Sequence, residues 1–200
     1  MVRYPSDEES SYLELAEFVK QFLPTSAPYI ILGESFSGPI AVAVAQSKPP
    51  GLVGLILCAS FISSPLKLLR TLAPLARFAP TSIPRTLLAI MLMGRFRSND
   101  LVENTIDAIR SVKPSVLRQR IRSVMTVDYR DNAREVDVPA LYLRATEDRI
   151  ISEKSATEFL NYCPKAEIVE VAAPHFLLQC CPKEASACIE KFACGLSDDF

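Results

Sequence analysis

A serine, an acid and a histidine stand at three distant points of the sequence, each just behind a short apolar run. Ser35 lies in YIILGESFSG (29–38), with Gly33 two positions before it and Ser37 and Gly38 after it. A serine on a sharp strand-to-helix turn needs such small flanks, because the backbone there is strained and crowds its neighbours. The turn would expose Ser35 Oγ above a sheet and set the N–H of Phe36 at a helix N-terminus, where it can bind a developing oxyanion. Ser37 suits the role less well, since Pro39 takes the place of a small, flexible residue two positions on. The pentapeptide alone fits a serine that merely N-caps a helix equally well.

The rest of the constellation separates those readings. His175, the only histidine of the chain, follows the apolar run AEIVEVAA (166–173). A lone histidine is more often structural. A neutral imidazole is nonetheless the natural base for a serine hydroxyl near neutral pH, and this chain has no other. An acid must hold the imidazole tautomer and stabilise the imidazolium. Asp148, just past ALYLRA (140–145), is the candidate, with Glu147 as its rival. Either could instead cap a helix that starts near Ser152. Three such residues behind three strands, in the order serine, acid, histidine, rarely arise together by chance.

These side chains must be positioned by an α/β architecture. Continuous apolar runs at 29–32, 51–60, 140–145 and 166–173 read as strands buried on both faces of a parallel sheet. Helical patterns at 39–46, 153–162 and 183–194 alternate with them and cover the sheet on both faces. Ser11 and Glu14 form a capping-box pair ahead of Leu15, Phe18, Val19 and Phe22, an amphipathic helix ending near Pro24. Between 61 and 135 the alternation stops, and helical pieces at 66–77, 86–93 and 115–128 are punctuated by prolines. Residues 1–60 and 136–200 therefore read as the core, and 61–135, whose helical pieces have apolar faces and few strand signals, as a helical lid over one sheet edge.

Composition narrows the partners. Twenty-two basic against 23 acidic residues leave a net charge of -1 and no basic stripe of the kind that neutralises phosphates, so nucleic acid is excluded as a partner. No apolar run reaches the ~18 residues of a membrane span, and no signal core opens the chain. The six cysteines show no CxxC spacing, so neither zinc nor a disulfide framework is indicated, and a reducing cytoplasm is the expected compartment. The adjacent Cys180 and Cys181 read as core filler in preference to a redox pair.

YIILGESFSGPIAVAVA, LYLRATEDRIIS and APHFLLQCCPKE together resemble a small bacterial serine hydrolase of the α/β-hydrolase fold, over essentially the whole chain. The resemblance implies Ser35 as nucleophile, His175 as general base, Asp148 as orienting acid and Phe36 N–H as one oxyanion donor, with no cofactor and no metal. It also implies a second oxyanion donor on a loop after an earlier strand, and nothing before Gly33 matches that loop. The sequence is accordingly expected to start some tens of residues inside the fold, with MVRYP (1–5) as the tail of a further strand. The absent strand would pair with the one leading to Ser35, leaving an exposed edge open to self-association.

The expected function is hydrolysis of a small or medium acyl ester through an acyl-enzyme. The alternative is a weakly active or non-catalytic ligand-binding fragment. Leu87, Leu88, Ile90, Met91, Leu92 and Met93 could line an acyl pocket, although lid core is the commoner use of such a face. Arg95 and Arg97 could meet an anionic substrate or simply be solvated.

Overall fold

The computed structural model describes residues 1–197. Four parallel strands, β1 (Tyr29–Glu34), β2 (Leu52–Cys58), β3 (Ala140–Ala145) and β4 (Ala166–Val171), lie side by side in the order β1-β2-β3-β4. Glu34 aligns with Cys58, Cys58 with Leu143, and Ala145 with Val171, so the carboxyl ends of all four strands share one edge of the sheet. This is the architecture of a parallel sheet covered by helices, and β1 is one of its two edge strands.

The apolar strands are explained by helices on both faces. Leu55, Leu57, Ala140 and Tyr142 pack with α1 (Tyr12–Lys20), α2 (Gly38–Gln46) and α7 (Glu153–Tyr162). The alternate residues Ile56, Cys58, Leu141, Leu143 and Ala145 pack on the other face with α9 (Pro182–Ser197). Because successive side chains point to opposite faces, a strand sandwiched this way must be apolar at every position. The Ser11–Glu14 capping box forms in both directions, and α1 ends at Lys20. Phe22 consequently lies beyond the helix and is exposed, its ring tilted against that of Phe18 at 5.1 Å between centroids.

Two further expectations are corrected. Residues 1–5 form no strand; Val2 and Tyr4 pack against the α1–α2 core, and Pro5 O accepts from Arg120 Nη2 at 3.0 Å. The expected helix at 66–77 is a 3₁₀ helix over Lys67–Phe78, with Pro74 inside it. Leu69, Leu72 and Leu75 are exposed, and it is Ala73 and Ala76 that are buried, against Ile121 and Met125. The segment between β2 and β3 continues through α3 (Arg85–Leu92), α4 (Asn99–Arg110), α5 (Pro114–Thr126) and the short α6 (Arg130–Arg134). Among the described residues, no helix is long and apolar enough to cross a membrane.

Contact between α2 and the loop after β2 is unusually close. A Cβ on Gly38 would fall 1.8 Å from Ser60 Oγ, and one on Gly33 would fall 2.6 Å from Ser37 O. Only glycine lets these backbones approach. Gly38→Ala should therefore cost about 1–3 kcal/mol of stability through overpacking, a loss of several degrees in thermal unfolding at roughly 2–4 °C per kcal/mol. Gly195→Ala, with open space around the added methyl, should be neutral or stabilising by up to about 1 kcal/mol. Equal melting temperatures for the two variants would refute this account.

Candidate active site

β1 ends at Glu34, and the next residue reverses the backbone. Ser35 has φ 48°, in the left-handed region that non-glycine residues rarely enter. A 3₁₀ turn over Ser35–Ser37 then leads into α2, so Phe36 sits in the first turn of a helical segment, where N–H groups lack intrahelical partners. The Ser35 carbonyl accepts from Ser60 Oγ at 2.7 Å. Ser60 is itself buried and clamped through its backbone: its N–H donates to Tyr142 Oη at 3.2 Å, and that hydroxyl donates to Ser60 O at 2.5 Å.

Ser35, Asp148 and His175 meet at the shared strand edge. Ser35 Oγ lies 2.8 Å from His175 Nε2, and His175 Nδ1 lies 2.8 Å from Asp148 Oδ2. The His175 and Asp148 side chains are only 3% and 2% exposed, so this contact is shielded from solvent. The second carboxylate oxygen, Asp148 Oδ1, accepts from Ile150 N–H at 2.7 Å and Ile151 N–H at 2.9 Å. With Asp148 Oδ2 facing Nδ1, the neutral ring carries its proton on Nδ1 and presents the Nε2 lone pair to Ser35. Glu147 turns away, its carboxylate taken by Arg95 Nε at 3.0 Å and Nη2 at 2.5 Å. Ser37 is likewise occupied, accepting from Tyr4 Oη at 2.9 Å.

Glu34 was not a sequence candidate. Its Oε2 accepts from Gln179 Nε2 at 2.7 Å, and its Oε1 accepts weakly from Leu178 N–H at 3.4 Å. It thereby ties the end of β1 to the short helix α8 (Leu177–Cys180) that follows His175. Burial pushes the Glu34 carboxyl above its ordinary value, against the opposing pull of Gln179, Leu178 and His175. Ser60 and Tyr142 also escaped sequence reading, although a serine just behind a buried strand was a visible signal. The Cys180 thiol is raised to about 11 and that of Cys181 is also raised, both chiefly by burial, and all six cysteines are free.

The helical segment between β2 and β3 reaches this site. Phe176 N–H donates to Leu92 O at 2.9 Å, and Arg149 Nη1 donates to Ile90 O at 3.3 Å. Leu88 and Met93 are buried in a small core with Ala89 and Val102, whereas Leu87 is exposed. Arg95 is held by Glu147, and Arg97 donates to Gly94 O at 3.3 Å. Among the described residues, no group of three or more His, Cys, Asp or Glu side chains is placed to hold a metal ion.

This sheet, with its serine turn and its acid and histidine loops, defines a hydrolase of the α/β-hydrolase fold. The family described as serine aminopeptidase, S33, matches residues 6–175, and the chain belongs to that family. Solved structures agree on the fold. A lipase-esterase related protein from Clostridium acetobutylicum superimposes with a TM-score of 0.74 at 17% identity, covering 96% of this chain and 78% of that one. A thermophilic esterase gives 0.72 at 20% identity, covering 94% and 75%. Proline iminopeptidase from Mycobacterium smegmatis gives 0.70 at 17%, covering 92% and 70%. The comparison with curated proteins found no match.

The Glu34 carboxyl makes a prediction about pH. Its raised value means that the folded protein holds this proton more tightly than the unfolded chain does. The resulting stability is complete below the ordinary glutamate value of 4.5 and is lost as pH rises through the raised one. Urea unfolding across this window should show a falling limb in the native protein that flattens in Glu34→Gln. An unchanged limb would exclude Glu34 as its source.

Proposed function

We propose that this chain is a serine hydrolase that cleaves a small or medium acyl ester through an acyl-enzyme. The observation carrying the proposal is the unbroken path Ser35 Oγ–His175–Asp148, 2.8 Å at each step. Ser35 Oγ attacks the carbonyl carbon while His175 Nε2 accepts its proton. The tetrahedral oxyanion is met by Phe36 N–H. As the intermediate collapses, the ester C–O bond breaks and the imidazolium protonates the departing alkoxide. Water, deprotonated by the same nitrogen, then releases the acid and restores Ser35. Asp148, held by the Ile150 and Ile151 amides, orients the ring and stabilises the imidazolium.

Ester in preference to aminopeptide is supported by the state of the nearby carboxylates. An aminopeptidase must offer a free acid to the ammonium group of its substrate. Here Asp148 is engaged by His175, Glu147 by Arg95 and Glu34 by Gln179. Two of the similar solved structures carry esterase titles, which points the same way.

A fluorophosphonate probe should label the native protein and fail on Ser35→Ala and His175→Ala. Turnover of p-nitrophenyl butyrate should fall by about 10⁴–10⁶ in either variant. Folded native protein that takes no label would favour the non-catalytic binding alternative, and faster cleavage of aminoacyl p-nitroanilides than of the ester would overturn the choice of substrate. Ser60→Ala should lower kcat about tenfold with KM unchanged, because it releases the peptide whose N–H faces the oxyanion. A change confined to KM would show that Ser60 does not act through that peptide.

A further inference from the structure

The 3₁₀ helix Lys67–Phe78 carries a pattern that the proposed chemistry does not use. At three residues per turn, side chains three apart eclipse one another. Leu69, Leu72, Leu75 and Phe78 therefore form one row, extended backwards by Leu66. They are 43%, 46%, 56% and 68% exposed, and Leu66 is 41% exposed. A second row starts with the exposed Lys67 and Arg70 and continues into Ala73 and Ala76, which are buried against α5. The third row holds Thr71, Pro74 and Arg77. Arg70 near the start of the leucine row and Arg77 near its end thus flank it on opposite sides, while Lys67 is paired with Glu158 at 2.8 Å. Arg77 lies 4.6 Å over the Phe78 ring and also lines a groove with Arg118 and Arg122 of α5 and with Glu9.

Charge decides what this apolar row can meet. Neither 67–78 nor the supporting helix α5 contains an acidic residue. A row of large apolar side chains with basic flanks matches an interface that is apolar within and anionic at its surface. A second copy of the same row would instead bring arginine against arginine.

We propose that Lys67–Phe78 is a docking surface for anionic phospholipid bilayers, with the Leu69–Leu72–Leu75–Phe78 row entering the headgroup boundary and Arg70 and Arg77 pairing with lipid phosphates. Binding of this kind is peripheral and reversible, and it is independent of Ser35 chemistry.

The test is flotation of the full chain with vesicles of phosphatidylcholine alone or mixed with phosphatidylglycerol. The native protein should partition into the mixed vesicles and at least roughly tenfold less into the neutral ones, and high salt should weaken binding. Leu72→Gln with Leu75→Gln should reduce partitioning by roughly tenfold or more, since two buried apolar side chains are lost. Arg70→Gln with Arg77→Gln should cost roughly fivefold per arginine on the anionic vesicles alone. These side chains are exposed, so circular dichroism and thermal unfolding should match the native protein and keep the comparison valid. Three outcomes would overturn the proposal: no partitioning of the native chain, partitioning that survives the leucine substitutions, or light scattering that shows a dimer abolished by those substitutions without any vesicle binding.

Discussion

The site depends on one strained residue and on what holds it there. Ser35 at φ 48° disfavours itself by about 1–3 kcal/mol, a cost that persists only where surrounding contacts over-determine the conformation. The decisive contact is Ser60 Oγ on the Ser35 carbonyl. That carbonyl and the Phe36 N–H belong to a single planar peptide, so fixing one end fixes the other. Hydrogen bonding at the carbonyl also polarises the amide and strengthens its N–H as a donor. The bare Gly38 permits this arrangement, because any Cβ there would occupy the place of the Ser60 hydroxyl.

Around that turn, the parallel sheet brings together groups that are remote in sequence. Ser35 and His175 are 140 residues apart yet share a hydrogen bond, because β1 and β4 end at the same edge. Burying a carboxylate is costly unless its oxygens are satisfied. Asp148 meets that requirement with two backbone amides on one oxygen and the imidazole on the other. Glu34 is less well served, with one good and one long hydrogen bond, and its carboxyl is correspondingly raised. Two carboxylates lie near the imidazole in different surroundings: Asp148 is hydrogen-bonded to the ring, while Glu34 ties the loop that carries it to β1.

Much of this was legible because it is local. The alternation of apolar runs with helical patterns sets all four strands to within two residues at every boundary, and ALYLRA coincides with β3. Ser35, Asp148 and His175 can be picked out because each follows a strand and the three fall in the order serine, acid, histidine. Asp148 contacts His175 and Glu147 contacts Arg95, and sequence offers no view of Arg95, 52 residues from Glu147. Ser60, Tyr142 and Glu34 were hidden for the same reason. Their roles consist of contacts 25, 82 and 145 residues long, and nothing in their local spacing marks them.

The 3₁₀ segment failed differently, and the failure is informative. Leucines every third residue satisfy the template of an α-helical apolar face, so the natural reading turned them toward the core. Pro74 supplies no N–H, and an exact period of three puts the leucines and the alanines on separate rows of a 3₁₀ helix. Only one row can face α5, and the small row allows the closer approach. Each leucine left half exposed forgoes about 1 kcal/mol of burial. A chain that buries Ala73 and Ala76 while leaving Leu69, Leu72, Leu75 and Phe78 outside is less stable than the reverse pattern would make it. Close packing on α5 accounts for the buried alanines, and a lipid surface that takes up the exposed row would offset the burial that the leucines forgo.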